Sequence, residues 1–437
     1  MSALLEIQDL EVHFPVGGGW FSGPRAVVHA VDGVDLSVEP GEIVAVVGES
    51  GCGKTTLARS VLGLNQPTAG TIRFRGKDVR GARSAQEMRA YRRAIQMIFQ
   101  DPFDSLNPRK TVLQTLAQPL RIHGIVPRSE IRAEVVRLLN LVGLSPGESY
   151  LGRYPHQFSG GQRQRICIAR AIALRPSLIV ADEAVSALDI SIRAQILALL
   201  QKLRTDLGLS YLFITHDLGV VADIAHRVAV MQGGVLVETG TVKEVLDNPS
   251  QDYTKRLLAA VPSIEPPPKR QQNEAEVLSV KAVSKTYSSR GWFGRPARTT
   301  YAVSDVSFSL ARNSTLGIVG ESGSGKSTLA RCIVGLLKPE LGEMRLDGQS
   351  LLGMNRRQAR ENPRRVQMVF QDPFASLNPR RKAGELVMQG LLVHGTPRAE
   401  ARRRAEEMFT MVGLDPASMD RYPHEFSGGQ RQRIGLA

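Results

Sequence analysis

The chain has 437 residues, 42% apolar and 22% charged, enough for two or three domains with real cores. No run of eighteen apolar residues occurs, which excludes a bilayer-spanning helix, and the start MSALLEIQDLEVHF lacks the order of a secretory leader, so a cytosolic location is expected. Cys52, Cys167 and Cys332 are scattered, which argues against a disulfide framework or a thiolate metal centre, while the net charge of +14 suits nucleic acid or anionic headgroups without choosing between them.

In chain order, the first strong element is EIVAVV from Glu42, a continuous apolar run of the kind a buried parallel strand shows. Gly48, Glu49, Ser50, Gly51, Cys52, Gly53, Lys54, Thr55 and Thr56 follow, then a helical TLARSVLGL. Strand, G-x-x-x-x-G-K-[ST] loop and helix in that order define a phosphate-binding loop, whose glycines let backbone N–H groups wrap phosphates at a helix N-terminus. Lys54 is expected to reach the β/γ-phosphates and Thr55 to ligate Mg²⁺. A second apolar run, Leu178 to Ala181, ends in Asp182-Glu183, at the strand edge where parallel α/β sheets bind ligands. Asp182 is read as a Mg²⁺ ligand and Glu183 as the base that polarises the attacking water. A third run, Tyr211 to Thr215, delivers His216 to the same edge, a candidate γ-phosphate contact; His156 and His226 read as structural.

The chain then repeats itself. GESGCGKTTLAR from Gly48 returns as GESGSGKSTLAR from Gly320, QMIFQDPFDSLNPR from Gln96 as QMVFQDPFASLNPR from Gln367, and RYPHQFSGGQRQRI from Arg153 as RYPHEFSGGQRQRI from Arg421. The copies are whole domains, 1–261 and 277–437, joined by a Pro-rich linker over 262–276 that cannot pack as an element. The second copy stops at Ala437, which aligns with Ala169, so the sequence is expected to be part of a longer protein, the alternative being a natural truncation.

These residues together resemble the ATP-binding cassette (ABC) family over nearly the whole chain, and Phe158-Ser159-Gly160-Gly161-Gln162 resembles its signature motif. The resemblance implies an α/β fold of two P-loop NTPase domains, each with a RecA-like parallel-sheet core, a small antiparallel β subdomain and a helical subdomain, the second incomplete. It implies ATP and Mg²⁺ as cofactors, Gln100 as the Q-loop glutamine beside the metal, Ser186 to Asp189 as the D-loop and His216 as the switch histidine. The second copy matches with Gly320, Ser322, Gly323, Ser324, Gly325, Lys326, Ser327 and Thr328, with Ser327 as its Mg²⁺ ligand, with Gln371, and with Ser427, Gly428, Gly429 and Gln430. Ala184 stands where the family usually has proline, a change that removes no functional group. Phe14 and Tyr287 resemble the adenine-stacking A-loop residue, the alternative being aromatics packed on a strand face.

Within the family, GESGCGKT, FQDPFxSLNPR, RYPHxFSGGQ and the segment Asn248 to Pro262 are similar to the peptide/nickel importer branch. That likeness implies an ATPase at the cytoplasmic face of the inner membrane, with two permease subunits and an extracytoplasmic solute-binding protein as partners. In the family the signature of one cassette closes over the ATP of the other, so intramolecular pairing would complete the site of Lys54 with Ser427–Gln430. The other site would lack its Asp-Glu pair and histidine. Trp20 and Trp292, each followed by Phe in a Gly- and Arg-containing loop, are read either as packed on the β subdomain or as touching the membrane interface. Two rival functions are a tandem cassette acting on ribosomes or nucleic acid and an inactive scaffold. The short tether disfavours the first, so no nucleic acid is expected, and the intact first catalytic set disfavours the second.

Overall fold

The computed structural model describes residues 3–16, 26–79, 84–186, 188–261, 275–288, 299–321, 323–370 and 376–437. It forms two compact units, Met1–Ile264 and Glu265–Ala437.

In the first unit, β1 (Leu5–Val16) and β2 (Ala26–Val38) pair antiparallel, and β4 (Ala69–Phe74) and β5 (Lys77–Asp78) extend them into a sheet ordered β2-β1-β4-β5. The main sheet has six strands in the order β10-β9-β3-β8-β7-β6. These are β3 (Ile43–Val47), β6 (Ile95–Ile98), β7 (Leu178–Asp182), β8 (Ser210–Ile214), β9 (Arg227–Gln232) and β10 (Val235–Thr241). All neighbours are parallel except β10 against β9. Every residue of β3, β7 and β8 is buried, which is why these strands read as unbroken apolar runs: both faces are covered.

Alternation along those strands divides the core in two. Val44, Val46, Leu178, Val180, Leu212 and Ile214 face Leu10, Val31 and Leu57 on the side of the small sheet and the helix Lys54–Val61. Ile43, Ile179, Ala181, Tyr211 and Phe213 face the other way, toward Leu116, Leu138 and Ile166 of the helices Val112–His123, Ile131–Leu141 and Gly160–Ile172. The sheet thus holds the carboxyl ends of β3, β7 and β8 side by side, with a helical layer within reach of the same edge. The three cysteines are free and buried.

The second unit repeats the small sheet, as β12 (Thr299–Ala311), β11 (Glu276–Ser288), β13 (Leu341–Leu346) and β14 (Gln349–Ser350) in that order. It also repeats the helix Lys326–Ile333 and a helical cluster around Phe409, Met388 and Phe426. The expected incompleteness falls on the parallel core. Among the described residues of this unit no parallel sheet forms, and residues 316–319 and 366–370, the counterparts of β3 and β6, are not strands. In the first unit β3 is bonded by β8 and β9, and β6 by β7. No counterpart of β7, β8 or β9 is present in the residues up to Ala437. Val319 is accordingly 92% exposed, whereas Val47 is fully buried.

Candidate functional site

The loop from Gly48 to Thr56 turns between β3 and the helix Lys54–Val61, and three of its positions have left-handed backbones: Gly48 at φ 152°, Gly51 at φ 87° and Gly53 at φ 109°. Two also admit no side chain. A Cβ on Gly48 would lie 2.1 Å from the Met231 carbonyl oxygen, and one on Gly53 would lie 2.0 Å from that of Ala30. Gly53 is the N-cap of the helix, so the first-turn N–H groups open onto the loop. Buried Lys54 donates from Nζ to the carbonyl oxygens of Gly48 and Glu49, both at 2.7 Å, which folds its ammonium into the loop. Cys52 is buried and Thr56 half-buried, while Ser50 and Thr55 are exposed.

Around the carboxyl ends of β7 and β8, three of the expected residues meet on one carboxylate. Gln100 donates from Nε2 to Glu183 Oε2 at 2.8 Å, and His216 Nδ1 stands 3.1 Å from Glu183 Oε1. Glu183 has a left-handed backbone, φ 46° on a non-glycine residue, and is held there by its N–H to the Ile214 carbonyl at 2.8 Å and by Ser186 Oγ donating to its carbonyl at 2.9 Å. Beside it, Thr55 Oγ1 donates to Asp182 Oδ1 at 3.3 Å.

The electrostatics divide the two carboxylates. The His216 hydrogen bond holds Glu183 below the ordinary carboxylate range despite partial burial, and the same bond raises His216. Asp182 is pushed up, first by burial and then by the charge of Glu183, against the lowering effects of Thr55, Arg59 and Lys54. A hydroxyl and a desolvated carboxylate beside a second negative charge are hard oxygen donors short of positive charge, and they fit a Mg²⁺ ion. Gln100 gives its amide nitrogen to Glu183, which leaves its carbonyl oxygen as the end able to face such an ion. A cleft of about 910 Å³ opens beside Thr55, Gln100 and Asp182 and continues past Ser105, Asn107 and Lys110.

The signature residues sit at a helix start. Ser159 is the N-cap of Gly160–Ile172; its Oγ accepts from Gln162 N at 3.3 Å while Gln162 Oε1 accepts from Ser159 N at 3.1 Å, a reciprocal capping box. Gly161 lies against the helix Ile190–Leu207, where a Cβ would come 2.5 Å from Ile192 Cγ2. Ser427 and Gln430 form the same box at the start of Gly428–Leu436. The second phosphate loop also keeps its shape. Gly320, Gly323 and Gly325 have positive φ, Ser324 Oγ lies 3.3 Å from Lys326 Nζ, and Lys326 donates to the carbonyls of Gly320 and Glu321 at 2.6 Å. Ser327 is exposed and Thr328 half-buried. Ser322, Gln371, Trp20 and Trp292 lie outside the described residues.

A family model described as ABC transporter matches residues 31–186 and 303–437. The chain belongs to the ABC transporter family. Its chemistry is that of this family's ATPases. It is 43% identical to the peptidoglycan transport ATP-binding protein YejF of Agrobacterium fabrum, over 99% of this chain and 79% of that protein. It is 39% identical to the glutathione import ATP-binding protein GsiA of Pectobacterium atrosepticum, over 99% of this chain and 74% of that one. An uncharacterized ABC transporter ATP-binding protein, YejF of Escherichia coli K12, is 42% identical over 99% and 82%. Among solved structures, cbiO1 of Clostridium perfringens, part of an ABC transporter complex, aligns with a TM-score of 0.49 at 27% identity, over 57% of this chain and 92% of that one.

Other residues of the cassette site carry no motif that marks them. Buried Gln164 donates from Nε2 to the Ala184 carbonyl at 2.6 Å, so the loop after Glu183 is pinned without the usual proline. Arg193 ion-pairs with Asp217, whose other oxygen caps the helix Leu218–Ile224 and so fixes the backbone just after His216. Tyr253 Oη accepts from Glu49 N at 3.2 Å, tying the closing segment of the first cassette to its phosphate loop. His226 Nδ1 accepts from Ile43 N at 3.0 Å and His156 stacks on Tyr154. Phe14 and Tyr287 stand on β1 and β11, 40% and 44% exposed.

Proposed function

We propose that this chain is the ATP-hydrolysing subunit of an importer for peptides or related small solutes, such as dipeptides, oligopeptides, glutathione or nickel chelates. It sits peripherally at the cytoplasmic face of the inner membrane, working with two permease subunits and an extracytoplasmic solute-binding protein. The observation that carries the reading is the convergence of Gln100 and His216 on Glu183, beside the Thr55–Asp182 pair and the phosphate loop. The relatives' names, peptidoglycan transport and glutathione import, support the cargo class.

In this reading the loop N–H groups hold the β- and γ-phosphates, and Lys54 exchanges its carbonyl partners for phosphate oxygens. Thr55 and Asp182, with Gln100, hold Mg²⁺, which when bound neutralises phosphate charge. Glu183, ionised at neutral pH, accepts a hydrogen bond from the attacking water and takes its proton. His216, half-exposed and turned to Glu183, donates toward the γ-phosphate. Phe14, exposed on β1, offers a face for the adenine. In the second cassette Lys326 and Ser327 retain phosphate-binding groups. The cleft past Ser105 and Asn107 is the surface offered to a permease.

Replacing the chain by its Lys54→Ala variant in the source cells, and following uptake of labelled dipeptide, glutathione and peptidoglycan fragments, tests this reading. Loss of uptake of at least one supports it. Undiminished uptake of all three, with the variant expressed at the normal level, contradicts it.

A further inference from the structure

On the small sheet of the first cassette, four side chains that can ligate a metal gather around the β1–β2 pairing. His13 of β1 lies directly across from His29 of β2, with ring centroids 4.0 Å apart. Antiparallel register after that point shifts by one residue: Val12 faces Val31, so Ala30 is an extra residue in β2. Such a bulge re-aims the side chains that follow it, and Asp32 comes back beside both imidazoles. Its Oδ1 lies 3.4 Å from His13 Nε2 and 3.6 Å from His29 Nδ1, and Glu11 Oε2 lies 3.8 Å from His13 Nε2.

Ligands at 2.0–2.1 Å from a tetrahedral ion stand about 3.3–3.4 Å from one another, the edge of that tetrahedron. The two His13/His29-to-Asp32 separations are already close to that edge, and the three ligating atoms of His13, His29 and Asp32 lie within 4.8 Å of one another. The frame is fixed by backbone as well. His13 N donates to Thr68 Oγ1 at 3.0 Å, and Asp32 N donates to the Gly234 carbonyl at 2.9 Å. The duplication supplies an internal control. The second copy pairs Thr286 with Tyr301 where the first pairs His13 with His29, and it carries Ser284 and Ser304 where the first has Glu11 and Asp32. The two copies agree almost residue for residue in their nucleotide motifs, yet none of the four ligand positions is kept.

We propose that His13, His29 and Asp32, with Glu11 as the fourth ligand, form a binding site for a first-row divalent cation of the Zn²⁺ class. Imidazole and carboxylate without thiolate select Zn²⁺, Ni²⁺ or Cu²⁺ over Mg²⁺ or Ca²⁺. The site is separate from the ATPase centre and does not depend on its assignment. It clamps β1 to β2 at the Ala30 bulge, whose carbonyl oxygen packs against Gly53 of the phosphate loop. Its occupancy therefore stiffens the wall on which that loop rests.

The test uses the full chain stripped of metal, titrated with Zn²⁺ in competition with a chromophoric chelator, and separately with Co²⁺ followed by visible absorption. The expected result is one equivalent of Zn²⁺ and Co²⁺ bands of tetrahedral intensity. His29→Ala, at an exposed position, and the near-isosteric Asp32→Asn should each weaken binding by about 10–100-fold. Tyr301→Ala and His216→Ala should leave the bound equivalent in place. Absence of a bound equivalent, binding unmoved by both His29→Ala and Asp32→Asn, loss in His216→Ala, or only the weak bands of octahedral Co²⁺ would each overturn the proposal.

Discussion

Glu183 and His216 form a pair whose two shifts agree: each is moved chiefly by the hydrogen bond to the other. His216 is raised, so its share of the interaction is complete below the ordinary imidazole value of 6.5 and fades as pH climbs through the raised value. Glu183 is lowered from 4.5, so its share is present above that value and is lost as pH falls through the depressed one. The pair is thus charged across the interval between, and because His216 is half-exposed its effect on global stability is small. NMR titration of the His216 imidazole should give a midpoint above 6.5, and Glu183→Gln should bring it down. An unshifted midpoint in the variant would mean that the hydrogen bond does not set it. Much at this scale was legible in the sequence, because Lys54, Asp182, Glu183 and His216 stand in fixed positions after apolar strands. Gln164, Arg193 and Asp217 were not, since their partners lie many residues away and no motif spacing ties a helix glutamine to the carbonyl of Ala184.

The helices of the two copies differ in what surrounds them, and one glycine measures the difference. Gly161 packs against Ile192, and a Cβ there would sit at 2.5 Å, whereas a Cβ on Gly429 would meet nothing within 4 Å. Gly161→Ala should therefore push the helices Gly160–Ile172 and Ile190–Leu207 apart and lower stability by about 1–3 kcal/mol, the usual cost of overpacking. Gly429→Ala in the same sequence motif should be neutral or gain less than about 1 kcal/mol from helix propensity. Thermal unfolding of both variants checks the contrast, and equal losses would contradict it. The strands were the easiest elements to read, since full burial on both faces leaves an unbroken apolar signature. Their hydrogen-bonding order was not readable, and neither was the bulge at Ala30, because both depend on partners distant in the chain.

At the scale of the molecule, two segments of similar sequence differ in the neighbours they have among the described residues. Residues 43–47 are strand, bonded on both sides and buried; residues 316–319, with nearly the same sequence character, are unpaired, with Leu316 and Ile318 each 44% exposed. The apolar run before the first phosphate loop reads as a strand, and residues 316–319 are also apolar in character, but a strand exists only with a neighbour to bond, so tertiary context decides. Amide hydrogen exchange on this chain should find residues 43–47 among the most protected and residues 316–319 exchanging as open backbone. Equal protection would show that the second segment finds partners.

The central claim is that the first cassette hydrolyses ATP through Glu183, and phosphate release by the purified chain with Mg²⁺ and ATP tests it most directly. Glu183→Gln should lower the turnover rate by about 10²–10⁴-fold while ATP binding, followed in parallel with a fluorescent analogue, is retained. Equal rates of phosphate release in the chain and its Glu183→Gln variant would contradict the account.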